Sequence, residues 1–273
     1  MCSILATPKG RNQDMIKRIH PLPAFQDNYI WAITNADETE LAVVDPGDPA
    51  PVIAYAQANK LKLTHILITH HHADHTGGLA KLTEVYAPVV YGPESSNISG
   101  ITNFVSENDE ITLFGVNFSI LEVPGHTLDH IAYVSEETVP PTLFCGDTLF
   151  AAGCGRLFEG TPAMMSESLA KLTALDSQTA VYCTHEYTMA NLKFAMAADG
   201  QNEALQTRLN NEQAKRDSAQ PTLPSSIGLE LATNPFLRCE DQQIIEGLRR
   251  QTEAALDTPV AVFAALRNWK DNF

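Results

Sequence analysis

"THHHADHTGG", residues 69–78, packs four of the chain's nine histidines and an aspartate into ten residues, directly after the apolar run "LTHILIT". That run reads as a buried strand, so its end delivers the cluster to the rim of a sheet. In extended backbone alternate residues point the same way, which sends His70 and His72 together and His71 to the other side. Asp74 and His75 follow where the chain must turn, and "TGG" opens the next helix. Imidazole and carboxylate suit borderline first-row divalent ions. So many donors at one spot exceed what a single tetrahedral ion with an open position uses, which points to two metals.

Moving outward, the same pattern recurs. His126 in "VPGHTLDH", Asp147 in "FCGDTLF" and His185 in "YCTHEY" each follow an apolar run, which places them at the same rim. "YIWAIT" and "LAVVD" read as consecutive strands, and Asp48 with Pro49 opens a helix over "PAPVIAYAQANK". "TLFCGD" and "AVYCTH" are two more strands, separated by a helix that Thr161 and Pro162 start. After residue 186 the character changes. "YTMANLKFAMAA", "NEALQTRLNNEQAKRD", "DQQIIEGLRR" and "PVAVFAALRNWK" are helical in composition, no strand is read there, and "AQPTLPSSIGLELATNPFLR" is read as an interrupting loop. The expectation is an α/β unit over 18–185 followed by a smaller, all-helical unit over 186–273. Residues 1–17 read as a flexible extension without pattern, with Met15 a candidate start.

Composition narrows the function classes. Eighteen basic against 33 acidic residues give a net charge of −15, which argues against a nucleic-acid partner. No apolar run approaches a bilayer span, and the N-terminal stretch lacks the apolar core of a secretory signal, so neither membrane attachment nor export is expected. The five cysteines are scattered without a C-x-x-C pair, which suits a reduced, cytoplasmic setting. Cys145 and Cys183 share a strand face with Asp147 and His185 but read as buried core thiols. No G-x-S-x-G nucleophile elbow is present, so two-metal hydrolysis is the default chemistry.

"THHHADH" with downstream "PGHT", "CGDT" and "THEY" resembles the metallo-β-lactamase superfamily. The resemblance implies a four-layer αββα sandwich with one ion on His70, His72 and His126, a second on Asp74, His75 and His185, and Asp147 bridging. Asp147 would hold the pair together, and Asp74 would also orient the attacking hydroxide. Zinc is the first choice of ion, with iron or manganese also compatible.

The stretches "PAFQDNYIW", "DTLFAAGCGRLFEGT", "HEYTMANLKFA" and "NPFLR…AALRNWKDNF" narrow the resemblance to the glyoxalase II (hydroxyacylglutathione hydrolase) family, over roughly residues 18–273. It implies hydrolysis of S-D-lactoylglutathione to D-lactate and glutathione, the second step of methylglyoxal detoxification; a monomer is expected, though no residue pattern speaks to the oligomeric state. Tyr187 and Asn191 lie four apart after His185, and Arg267 and Lys270 three apart in the last helix, so each pair shares a helix face. A paired cation site in an acidic chain suits the glycine carboxylate of glutathione. Four positions depart from the family pattern. Arg156 and Phe158 stand where lysine and tyrosine are usual, and Thr184 and Asp129 where glycine is. Arg156 keeps the charge, whereas Phe158 can offer only apolar contact. His71 reads as packing or as a partner to a ligand, and His130 as either packing or a hydrogen-bond support for a ligand. A single-iron persulfide dioxygenase is the competing enzyme, disfavoured because the second donor set is complete.

Overall fold

The computed structural model describes residues 16–95 and 97–273, so the proposed extension up to residue 15 lies outside the described residues. Ile16 and Lys17 already belong to the first strand. Two six-stranded sheets face each other. The first runs in order β1 (Ile16–Ala24), β2 (Asn28–Asn35), β3 (Glu40–Val44), β4 (Lys62–Leu67), β5 (Val89–Gly92) and β6 (Asn103–Phe104). The second is built from β7 (Glu110–Leu113), β8 (Val116–Glu122), β9 (Ile131–Ser135), β10 (Thr142–Gly146) and, beyond a small hairpin of β11 (Leu149–Phe150) and β12 (Gly153–Cys154), β13 (Ala180–Cys183) and β14 (Ser225–Ser226). Its order is β14-β13-β10-β9-β8-β7.

Alternation along the strands explains the layering. In β2, Tyr29, Trp31 and Ile33 enter the core between the sheets, while Ile30 and Ala32 pack outward. That outer face is covered by α1 (Pro49–Asn59) and, beyond the single-turn α2 (Ala73–Thr76), by α3 (Leu79–Tyr86), through Val52, Ala56, Leu79 and Leu82. β9 and β10 are likewise buried on both faces, with Met165, Leu169 and Leu172 of α4 (Pro162–Thr173) in the same core. The result is the expected αββα sandwich. Helices α5 (Thr188–Ala198), α6 (Glu203–Asp217), α7 (Ile227–Thr233), α8 (Gln242–Leu248) and α9 (Pro259–Asp271) complete the chain.

The turn chemistry read from the sequence recurs in the structure. The Asp48 carboxylate accepts from the Ala50 amide and Pro49 starts α1, while the Thr161 hydroxyl accepts from Met164 ahead of α4. β3 and β4 are parallel, as are β10 and β13, so their C-terminal ends reach one rim. Hydrogen bonds cross between the sheets there. The Ile131 amide donates to Thr69 (2.9 Å), the Tyr29 amide to Thr184 (2.6 Å), and the Trp31 indole to the Cys183 carbonyl (3.0 Å).

Three local expectations change. Residues 70–72 are not strand, since β4 ends at Leu67 and α2 begins at Ala73, but His72 keeps an extended backbone and still turns toward His70. The stretch read as a loop over 219–238 contains β14, α7 and a 3₁₀ turn, so the last third is not strand-free. These elements are too short for periodicity to register, and α7 is stabilised by burying Ile227, Glu230 and Thr233. β1 also went unread, because Pro21 and Pro23 interrupt its pattern; an edge strand tolerates them.

Trp31→Phe should lower unfolding free energy by about 1–3 kcal/mol, because it strips the buried Cys183 carbonyl of its indole donor while keeping most of the apolar area. Denaturant titration at fixed metal load checks this. A midpoint indistinguishable from the parent would remove the bond from the account of how the sheets are held together.

Candidate metal centre

Each proposed ligand emerges where a strand runs out at the common rim. His70 and His72 follow β4, and α2 turns Asp74 and His75 back toward them. His126 lies between β8 and β9, Asp147 directly follows β10, and His185 follows β13. The structure brings all seven together as two adjoining triads. His70, His72 and His126 form one; Asp74, His75 and His185 form the other. In the first, His72 Nδ1 faces His70 Nε2 at 3.1 Å and His126 Nε2 at 3.0 Å. In the second, His75 Nε2 and His185 Nε2 lie 3.6 and 3.5 Å from Asp74 Oδ2. Asp147 reaches both, at 3.4 Å from His126, 3.5 Å from His75 and 3.3 Å from His185.

Donors around a tetrahedral ion with bonds of about 2.0–2.1 Å lie about 3.3 Å apart, so these separations fit ion-sized gaps. The unspent hydrogen-bonding capacity agrees. His75 Nε2 and Asp147 Oδ1 are buried with no hydrogen-bond partner. Protonation states agree as well. Burial, reinforced by the neighbouring His75 and His130, holds His70 well below the usual imidazole range and therefore neutral. Burial alone would raise the Asp147 carboxyl, but the facing His75 and His185 hold it well below the usual carboxylate range. Burial would likewise lower His75, yet Asp147 and Asp45 raise it well above its ordinary value. The pocket between those carboxylates therefore favours a positive charge. The fold and these His/Asp clusters fit a binuclear metal site.

The residues behind the ligands are the part that sequence reading missed. Asp45, at the end of β3, accepts from His75 Nδ1 (3.0 Å), the Thr69 amide (2.8 Å) and the Thr69 hydroxyl (2.7 Å). The Thr69 oxygen in turn accepts from His70 Nδ1 (3.0 Å). One buried carboxylate thus orients a ligand from each triad and leaves the Nε2 atoms free. His126 Nδ1 donates to the Arg156 carbonyl, and His185 Nδ1 to Asp27, both at 2.8 Å. Asn28 donates to Asp74 Oδ2 at 3.1 Å. Asp45 ends an apolar strand as the other donors do, so that signal was available; Asp27 sits in a plain turn and Asn28 opens β2, and neither gave one.

The two undecided histidines separate. His130 stacks on His70 at 4.6 Å and its Nε2 accepts from the Asp147 amide at 3.1 Å, with burial pushing its pKa down to about 3. It supports a ligand's backbone. His71 stands outside both triads and binds Asp129 at 2.9 Å, so the carboxylate at that unusual position anchors the neighbouring loop. Thr184, the other unusual residue, is buried with its hydroxyl 3.5 Å from Asp45. Cys145 and Cys183 are fully buried, and their thiols are pushed up by that burial. Gly155 is required for close approach: a Cβ there would overlap the Asp147 carbonyl.

A cleft of about 640 Å³ opens onto the triads. His72, Asp74, His126, Asp147 and His185 form its floor, and Arg156, Phe158, Tyr187, Asn191, Arg267 and Lys270 all lie in its walls. Their contacts differ. Phe158 is largely exposed and sets its ring edge against His72 and His126. Tyr187 caps α5 and stacks on His185 at 4.7 Å. Asn191 and Arg267 are buried; Asn191 donates to the Ala151 carbonyl, and Arg267 to the Cys154 carbonyl and to Asp271. Burial and the adjacent Arg267 lower the Lys270 ammonium.

Comparison with known proteins places this geometry. The metallo-beta-lactamase superfamily model matches residues 25–185, and the model for the hydroxyacylglutathione hydrolase C-terminus matches residues 186–273. The chain is 50% identical to a hydroxyacylglutathione hydrolase of Ectopseudomonas mendocina, over 94% of this chain and 99% of that one. It is 46% identical to that of Idiomarina loihiensis, over 93% and 99%. Among solved structures, ETHE1 from Myxococcus xanthus aligns with a TM-score of 0.62 at 23% identity, covering 94% of this chain and 99% of its own. TTHA1623 in a di-iron-bound form aligns with a TM-score of 0.56 at 25% identity, covering 81% and 100%.

Asp45→Asn should weaken metal retention by about 10–100-fold, since it removes charge from the residue that orients a histidine of each triad. Competition with a chelator of known affinity measures it. Parent-like retention would show that Asp45 does not hold the ligands.

Proposed function

The chain belongs to the hydroxyacylglutathione hydrolase family within the metallo-β-lactamase superfamily, and we propose that it works as a two-metal thioester hydrolase on S-D-lactoylglutathione, releasing D-lactate and glutathione. The observation that carries this reading is the joining of two donor triads, at one cleft, to a wall rich in cations. In this reading residues 18–185 form the catalytic unit and 186–273 supply much of the glutathione site. His70, His72 and His126 would hold one ion and Asp74, His75 and His185 the other, with Asp147 in reach of both triads as the shared ligand. Zinc is the proposed ion, with iron or manganese tolerated by the same donors. Bound ions supply two things that the side chains lack: water acidified toward neutrality and a Lewis acid for the thioester carbonyl.

The chain's own groups do the rest. The Asp74 side chain, held at Oδ2 by Asn28, is part-exposed to the cleft and orients the attacking water. Burial and the nearby Asp27 carboxylate push the Tyr187 phenol up to about 12, so at neutral pH it keeps its proton and donates into the cleft. Arg156 and Lys270, with the buried Arg267 in the same wall, attract the glycine carboxylate of glutathione in a protein of net charge −15. Phe158 contributes apolar contact beside His72 and His126. Hydrolysis forms a C–O bond and breaks the C–S bond, and a proton from water reaches the departing sulfur. A thiolate with a pKa of about 8–9 leaves without a strong acid behind it.

A cytoplasmic monomer acting in methylglyoxal detoxification, with neither nucleic acid nor membrane as partner, completes the proposal. The acidity of the chain argues against a nucleic-acid partner, and among the described residues no helix is long and apolar enough to cross a membrane.

Purified protein is expected to carry about two transition-metal equivalents and to hydrolyse lactoylglutathione. Chelation should abolish turnover and metal readdition restore it. One iron per chain, with oxygen consumption on glutathione persulfide, would overturn the thioesterase reading. Lys270→Ala is expected to raise KM about tenfold with kcat nearly unchanged, as for loss of one charge-assisted contact made in the ground state. A fall in kcat alone would remove Lys270 from the glutathione site.

A further inference from the structure

The hairpin of β11 and β12 is short, yet it joins the two halves of the cleft. It begins two residues after Asp147 and ends two before Arg156, whose carbonyl orients His126. Phe150 and Cys154 from it line the cleft, and the Cys154 carbonyl holds the Arg267 guanidinium at 2.9 Å. At its tip Ala152 has a φ of 56°, a left-handed conformation that alanine adopts only under constraint.

The C-terminal helices supply the constraint. Asn234 Nδ2 donates to the Gly153 carbonyl (2.9 Å) and the Phe150 carbonyl (3.3 Å), and Asn191 to the Ala151 carbonyl (3.0 Å). Glu230 Oε2 accepts from the Ala152 amide (2.8 Å) and from Asn234 (3.0 Å). Its Oε1 is held by Arg208 (2.6 Å) and by the Ser225 hydroxyl. Glu230, Thr233 and Asn234 are 0% exposed, and none of them lines the cleft. Asn191, Asn234 and Glu230 Oε2 all meet the backbone of that hairpin, and Arg208 and Ser225 hold Glu230 in place for it.

We propose that Asn234 is a positioning residue for substrate binding: with Glu230 it clamps the hairpin that sets Phe150, Cys154 and Arg267 along the cleft. The proposal rests on the glutathione thioesterase reading given above. A hairpin released from this clamp still carries its side chains, but no longer in the geometry that meets the substrate, so the loss falls on binding.

The test uses the metal-loaded full chain. Asn234→Ser keeps a side-chain oxygen to cap the turn at Phe236 but is too short to carry the donor to Phe150, Gly153 and Glu230. At unchanged metal content, KM for lactoylglutathione should rise about tenfold with kcat within about threefold, and glutathione measured by calorimetry should bind weaker by a similar factor. The Ala152 amide should exchange with solvent about tenfold faster while Trp31 and Ile33 in β2 are unchanged. A folded, metal-replete variant with parent KM and parent Ala152 exchange overturns the proposal, since a merely structural residue alters stability alone. A parent enzyme inert toward the thioester overturns the assigned activity instead, and calorimetry and exchange then decide the clamp. Should the variant fail to fold, exchange in the parent decides: Ala152 as labile as an exposed turn amide refutes the clamp, and strong protection that deepens with glutathione supports it.

Discussion

The Asp45 carboxylate is the constraint on which the rest of the site depends. It is buried at the end of β3, takes three hydrogen bonds from Thr69 and His75, and through the Thr69 hydroxyl reaches His70. A buried charge is tolerated only where it is fully paired, and here the pairing groups are those that must present metal-binding nitrogens. Satisfying Asp45 and orienting a ligand of each triad are therefore one structural act. Removing that carboxylate would leave two imidazoles free to rotate or change tautomer.

Around this hub the fold solves a convergence problem. Seven donors come from five separate strand ends and loops, and no short segment could gather them. Parallel pairing of β3 with β4 and of β10 with β13 sends their ends to one rim, and backbone hydrogen bonds between the sheets lock the rim together. The helical C-terminal part then closes one side of the cleft. In an acidic protein it concentrates cations where an anionic thioester arrives, and it reaches back through Asn234 and Glu230 to hold the hairpin that follows Asp147.

What was legible in the sequence follows from how far each signal reaches along the chain. The candidate donors were legible because histidine and aspartate at strand ends create a local contrast with the apolar runs that they stop. Asp48 and Thr161 were legible as helix starts for the same local reason. α7 and β14 were not, because seven and two residues hold too little pattern, and burial against distant elements stabilises them. The cleft residues Arg156, Phe158, Tyr187, Asn191, Arg267 and Lys270 were found through family motifs, and their spacing alone would have left a solvated helix end as the simpler reading for the last two.

The sequence by itself determined the candidate donor set and the class of chemistry, because these rest on residue type and on apolar runs that stop at histidine or aspartate; the four-layer architecture was implied by the family resemblance and not by periodicity. Tertiary structure decided how those residues are used. It made His130 a support for Asp147 and His71 a partner of Asp129, and it buried Arg267 in the cleft wall, against Cys154, instead of leaving it free in solvent. It also recruited Asp45, marked in the sequence only by its place at a strand end, and Asp27 and Asn28, which carry no distinguishing local pattern. The physical reason is that hydrogen-bond orientation and desolvation depend on neighbours brought from 17 to 158 residues away, and no short window along the chain contains them.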